Sequence, residues 1–240
     1  MPHRFYTPHA LENVGTLSVD SAIVNHGRAL RLEQNSPVVL FNGNGFDYSG
    51  VWVWQDKRSA VVELHTREPN LTESPIAVHL GVGMALGERM EYSIQKATEL
   101  GAVSLTPLAT QHCELKLKGD RAERKRERWQ QVAQSAAEQC GRAIIPHIHP
   151  VTTIAAWLQA QPENHLKLVL HPSPKTGLEA CTRPTAISAL IGPEGGLSEA
   201  EIVLAQTHGF QTVRLGPRIL RTETAPVVLL SAVQQHWGWD

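Results

Sequence analysis

Two short stretches of this chain combine glycine, proline and charge in a way that could serve a ligand. The first is Ile191-Gly-Pro-Glu-Gly-Gly196 and the second is Leu215-Gly-Pro-Arg-Ile-Leu-Arg221. In the first, Gly195 and Gly196 remove side chains where a ligand could approach the backbone, and Pro193 fixes the entry of the loop. It has neither the GxGxxG spacing of a dinucleotide fold nor the Gly-Lys-Ser/Thr ending of a P-loop. Taken alone it is as readily a tight corner as a binding site. The second stretch adds the chemistry. Arg218 and Arg221, followed by Thr222, Glu223 and Thr224, set charge and hydroxyls around the apolar pair Ile219 and Leu220. A purely structural turn has little use for that mixture.

Both stretches follow apolar runs that read as strands. Residues 166–170 run into His171-Pro172, 186–191 into Gly192, and 212–215 into Gly216. In open α/β sheets, ligands bind beyond the carboxyl ends of such strands. The surrounding pattern supplies the sheet. Residues 76–82 and 103–108 are further strands, and 87–100, 120–140, 198–208 and 223–237 have helical character, with Gly101 closing the first helix and Ser198 and Glu201 forming a capping box for the third. Strands alternating with helices predict an α/β domain over 76–240 with a mainly parallel sheet. Residues 1–70 read as β: runs at 37–41, 48–54 and 60–66, with the turn Asn42-Gly-Asn-Gly45, predict a small barrel-like module. Trp52 and Trp54 share one face of their strand and are expected to pack rather than to stack on bases. The stretch Glu68-Pro-Asn-Leu-Thr-Glu-Ser-Pro75 breaks both patterns and is the expected linker.

Composition narrows the function classes. The chain has 240 residues, is 42% hydrophobic and 19% charged, and carries a net charge of -1, so global charge gives no support for nucleic-acid binding. Charge is concentrated locally instead: residues 116–128 hold seven basic and three acidic side chains, and Lys125, Arg126 and Arg128 are the expected phosphate contacts. Beyond them Arg128, Gln131, Ser135, Glu138 and Arg142 recur at helical spacing, with Ala133, Ala136, Ala137 and Cys140 on the opposite side. Cys113, Cys140 and Cys181 form no CxxC pair, which argues against a disulfide framework or a structural zinc site. His147 and His149 lack accompanying carboxylates or thiols, so a turn or edge strand is the better reading than a metal site. No signal peptide and no membrane span are expected, and a cytoplasmic location fits.

The two C-terminal stretches, read together as Gly192-Pro-Glu-Gly-Gly-Leu-Ser198 and Leu215-Gly-Pro-Arg-Ile-Leu-Arg-Thr-Glu-Thr-Ala225, resemble the signature of the bacterial 16S rRNA uridine-N3 methyltransferases of the SPOUT superfamily. Lys96-Ala-Thr-Glu-Leu-Gly101, Glu138-Gln139 with Arg142 and Pro146, the start Arg4-Phe-Tyr6, and His26 to Leu32 match the family's other motifs in order. The chain departs at Gln34-Asn-Ser36, where relatives tend to show a Gly-Asp turn. The resemblance implies an N-terminal PUA-like β-barrel that binds RNA, followed by an α/β SPOUT domain with a deep trefoil knot, one of the exceptions to the rule against threaded chains. It implies S-adenosyl-L-methionine (SAM) as cofactor, a uridine of small-subunit ribosomal RNA as substrate, within the subunit, and a homodimer without a metal. The SAM pocket would then be built from Leu170, His171, Ile191, Gly192, Pro193, Glu194, Gly195, Gly196, Leu215, Gly216, Ile219, Leu220, Thr222, Thr224 and Ala225. Methylating uridine N3 spreads negative charge over the ring, which Arg221, helped by Arg218, would stabilise. Glu223 or Glu194 would take the proton, Glu223 being preferred. Arg4, Arg28, Arg31 and Arg142 would add to the RNA contacts. The alternatives are another rRNA or tRNA base as target, an assembly factor that binds RNA without chemistry, or a nucleotide-binding protein using 192–196 as an anion nest.

Overall fold

A computed structural model describes residues 2–173 and 176–238; the outermost positions of both expected domains, Met1 and 239–240, lie outside them. Two compact units are present, Met1–Glu73 with Ala137–Ile145, and Ser74–Ala136 with Pro146–Asp240.

The first unit holds β1 (His3–Tyr6), β2 (Gly15–Ser18), α1 (Ser21–Ala29), β3 (Pro37–Phe41), β4 (Phe46–Trp54) and β5 (Ala60–Pro69). Its five strands follow the order β1-β3-β4-β5-β2, with β1 parallel to β3 and the other pairs antiparallel. Among the described residues no ladder joins β1 to β2, so the hydrogen bonds define a mixed sheet with two edges and not a closed barrel. The Asn42–Gly45 turn works through Gly43 and Gly45, whose φ values of 86° and 84° are open to glycine at no steric cost. Trp52 is fully buried, its ring centroid 5.7 Å from that of Phe5 and 5.2 Å from that of Trp54. Both tryptophans therefore pack, as their shared face predicts. Helix α1 and strands β1 and β2 escape sequence reading because they are short and, in α1, interrupted by Asn25 and Gly27.

An internal polar network fixes this unit's other side. Arg142, only 2% exposed, is paired with Glu73 at 2.6 Å, and Arg4 is forked onto Asp47 at 2.7 and 2.8 Å while donating to the Arg142 carbonyl. Asn70 donates to Asp47 and to the Gly141 carbonyl, both at 2.9 Å. The guanidiniums of Arg4 and Arg142, expected as RNA contacts, thus face carboxylates inside the unit. Breaking such a buried pair leaves an uncompensated charge, costing about 3–5 kcal/mol.

The second unit holds β6 (Ala77–Gly83), α2 (Arg89–Glu99), β7 (Ser104–Ala109), most of α3 (Gly119–Cys140), β8 (His147–Ile148), β9 (Thr152–Thr153), α4 (Ile154–Gln159), β10 (Leu166–Leu170), β11 (Ala186–Ile191), α5 (Glu199–Thr207), β12 (Gln211–Val213) and α6 (Ala225–Val233). Every strand pairing is parallel, in the order β12-β10-β11-β6-β7-β8, with β9 also on β7. β11 is buried throughout, the pattern of a parallel strand covered on both faces. Ser198 caps α5 in the expected box with Glu201. His147 lies in the edge strand β8. No helix is long and apolar enough to cross a membrane among the described residues, and no three His, Cys, Asp or Glu side chains there could hold a metal ion.

At the amino-terminal end of this sheet the rings of His79 and His165 stack 5.2 Å apart, bonded to Ser104 at 2.8 Å and Ser188 at 2.9 Å. Burial pushes the His79 imidazole below its usual range, and the neighbouring His165 and His149 push it further. Burial, then Lys167, does the same to His165, and burial, then His147, to His149. A histidine held neutral in the folded chain costs nothing above its unfolded pKa of about 6.5 and destabilises progressively below it. Thermal stability should therefore fall between about pH 7 and about pH 5.5. His79→Gln should flatten that decline; a variant with the unaltered slope would show the cluster to be neutral to stability.

Candidate active site

Because β12, β10 and β11 are neighbours and parallel, their carboxyl ends lie along one edge of the sheet. The loops that follow them meet there. His171 extends the β10–β12 ladder by donating to the Val213 carbonyl at 3.0 Å. The 192–196 loop is a tight turn in which Gly196 N–H donates to the Pro193 carbonyl at 2.9 Å, and Gly196 holds a φ of 71°. The last loop bends into α6 through Thr224 and Ala225, whose N–H groups donate to the Arg221 carbonyl at 2.9 and 3.0 Å. Together they enclose a cavity of about 580 Å³.

Leu170, His171, Ile191, Gly192, Pro193, Glu194, Gly196, Leu215, Ile219, Leu220, Thr222 and Ala225 line this cavity, as do Arg218, Arg221 and Glu223. Gly195, Gly216 and Thr224 do not. Gly195 has a packing role: a Cβ there would stand 2.8 Å from His112 Cβ. Gly216 has a φ of 78°, a turn requirement. Ile219 is 85% exposed and so forms rim, whereas Thr222 is buried.

The wall also contains Arg89, Pro172, Leu197, Val213 and Arg214, which sequence reasoning left out. Arg89, at the start of α2, organises the acidic side. Its Nη1 donates to Glu194 Oε1 at 2.8 Å and its Nε lies 4.0 Å from Glu223 Oε1. Glu194 Oε1 also accepts from the Leu86 N–H at 3.1 Å. Burial pushes the Glu194 carboxyl up, but bonds from its own backbone N–H, from Leu86 and from Arg89 outweigh it and hold the group low. Glu194 thus ties its loop to α2. Glu223 differs: its Oε2 is buried and has no hydrogen-bond partner. Arg218 and Arg221 are exposed, and neither enters an ion pair among the described residues. The arrangement offers a proton acceptor inside, two open guanidiniums at the rim, and an apolar, backbone-lined interior.

One glycine outside the loops sets how closely they approach. A Cβ on Gly83, in β6, would lie 2.5 Å from both the nitrogen and Cδ of Pro193. Gly83→Ala must move the loop's backbone, so a stability loss of roughly 1–3 kcal/mol is expected from chemical denaturation, together with weaker ligand binding. An unshifted midpoint would mean that the loop yields freely.

The remaining cations expected to meet phosphate fall into two groups. Arg28 is exposed, bonded to Asn25 and to the Lys57 carbonyl, and Arg31 is exposed with a φ of 56°. On α3, Lys125 pairs with Glu91 at 2.9 Å, Arg126 pairs with Glu123, and Arg128, 60% exposed, lies 3.7 Å from Glu91. Two of these three expected contacts thus have a carboxylate at hydrogen-bond distance.

Comparison with known proteins places this geometry. Residues 72–234 match the RNA methyltransferase domain family. A ribosomal RNA small subunit methyltransferase E from Buchnera aphidicola is 32% identical, with 98% of this chain and 96% of that protein aligned. One from Bacillus subtilis is 33% identical, over 95% and 93%. Among solved structures, a ribosomal RNA small subunit methyltransferase E from Neisseria gonorrhoeae bound to S-adenosyl methionine superposes with a TM-score of 0.94 at 34% identity, covering 99% of both chains. A Legionella pneumophila protein solved with bound SAM gives a TM-score of 0.94 at 34% identity over the full length of both.

Proposed function

The chain belongs to the ribosomal RNA small subunit methyltransferase E family, and from that premise we propose that it transfers the methyl group of SAM to N3 of a uridine in 16S rRNA. The observation that carries this reading is the meeting of three strand-end loops in one cavity that holds a carboxylate with one buried oxygen lacking a hydrogen-bond partner, Glu223 Oε2, and open guanidiniums at its rim. A volume of about 580 Å³ lies within the range of cofactor pockets, and the lining suits a nucleoside bearing a cation: aliphatic side chains and loop backbone beside the carboxylates Glu194 and Glu223. Leu215, Leu220, Ile191 and the backbone around Gly192 and Gly196 would hold SAM, with His171 closing one wall. When bound, SAM supplies an electrophilic methyl group on a positively charged sulfur.

The chain's residues do the rest. Glu223 Oε2 accepts the N3 proton of the uridine, while Arg89 anchors the other carboxylate oxygen. Arg221 faces the charge that then spreads over the uracil carbonyls, and a cation there favours the transition state over the neutral base. Arg218, on the same rim, supports it. Holding the base in line with the donor contributes further.

Family membership also supports reading the first unit as a PUA-like RNA-binding module and the second as a knotted SPOUT domain that acts as a homodimer. Three free cysteines suit a reducing cytoplasm. Incubating the protein with small-subunit RNA and SAM carrying a labelled methyl group should yield labelled N3-methyluridine. Calorimetry should show binding of SAM and none of ATP. Label on another atom would refute the N3 assignment, and indifference to SAM would refute the reading altogether.

A further inference from the structure

The basic segment before and within α3 is sorted by face. Arg121, Arg124, Lys125 and Arg128 are spaced i, i+3, i+4, i+7 and share one side of the helix, while Asp120, Glu123 and Glu127 are spaced i, i+3, i+7 and share another. Asp120 and Glu127 border the stripe at Arg124, but neither is ion-paired with it among the described residues. Glu91 of α2 is the carboxylate that faces it, meeting Lys125 at 2.9 Å and Arg128 at 3.7 Å. Lys116, Lys118, Arg121 and Arg124 are exposed and enter no ion pair among the described residues. Four cations outside ion pairs on 9 residues of chain, against two carboxylates, Asp120 and Glu123, in a protein of net charge -1, are a local concentration that solubility does not require.

This patch is tied to the cavity. Gln111 N–H donates to Glu201 Oε1 at 2.8 Å, His112 lies against the Gly196 carbonyl at 3.3 Å, and the Cys113 thiol donates to the Met84 carbonyl at 3.2 Å. Three residues of chain, at most about 11 Å, separate Cys113 from Lys116. On the other side Glu91, which positions the stripe, is two residues from Arg89 in the cavity wall. We infer that Lys116, Lys118, Arg121 and Arg124 form a docking surface for the phosphates of the RNA strand whose base enters the cavity. The inference rests on the RNA-methyltransferase reading, and it moves the main phosphate contact from the ion-paired Lys125 and Arg126 to their exposed neighbours. A flexible strand neutralised by cations releases counterions, so its affinity must fall with salt in proportion to the contacts made.

The test uses the whole protein and in vitro transcribed small-subunit ribosomal RNA. In the variant Lys118→Gln, Arg121→Gln, Arg124→Gln, the slope of log affinity against log salt should be shallower by about 2–3, at about 0.7–0.9 per phosphate lost. Low-salt affinity should drop at least about tenfold, with SAM affinity unchanged as the sign of an intact fold. A wild-type slope in this variant would overturn the docking surface while leaving methyl transfer standing. Wild-type protein that binds SAM but not RNA would overturn the functional reading, and this surface with it.

Discussion

Arg221→Ala should reduce methyl transfer by roughly 10²–10³-fold, the cost of removing one donor aimed at developing charge. Thermal stability should be unchanged, because Arg221 is exposed and its structural part is its carbonyl, which accepts from Thr224 and Ala225 and survives the substitution. SAM affinity should change little, since the guanidinium is assigned to the uracil. Arg221→Lys should restore only part of the rate, as an ammonium keeps the charge but not the planar fork that can meet a carbonyl and its neighbour together. Single-turnover assays with saturating SAM separate these outcomes. Full activity in the alanine variant would remove Arg221 from the chemistry.

Glu223→Gln should be comparably severe, costing about 10²–10⁴-fold, because it preserves size and hydrogen-bonding shape while removing the proton acceptor. Residual activity should climb with pH, as N3 loses its proton without help. The alternative role for Glu223 is favourable charge just ahead of the N-cap of α6, a contribution of about 0.3–1 kcal/mol that glutamine would forfeit without affecting the rate. The two are told apart by kinetics and melting together. A variant that melts lower but turns over normally would make Glu223 a helix residue only. Arg89 remains bonded to Glu194 at 2.8 Å in this variant, so collapse of the wall is not expected.

The parts of the site that sequence discloses are those built by contiguous residues. Ser198 and Glu201 form their box within one turn of helix, and Gly196 and Gly216 take the positive φ values that their loops require. The three strand ends are legible because parallel strands alternating with helices must place their carboxyl ends together. What stays hidden depends on partners remote in sequence. Arg89 joins the cavity from a position 105 residues before Glu194. Gly195 answers to His112, a neighbour that nothing in its own loop announces. Lys125 pairs with Glu91 across 34 residues, so a run of like charges cannot by itself say which of its members are open. Arg142 has the residue type of a phosphate contact and a partner, Glu73, that burial alone reveals. The short strands β1, β2, β8 and β9 are too brief for periodicity to register.

The reaction proposed for the cavity between the 192–196 and 215–225 loops is methylation of uridine N3 in small-subunit ribosomal RNA. Mass-spectrometric mapping of nucleosides in that RNA, from cells lacking this protein, tests it most directly. One N3-methyluridine should disappear, return when the wild-type chain is supplied, and stay absent with Arg221→Ala. An unaltered set of N3-methyluridines in the deleted strain would contradict it.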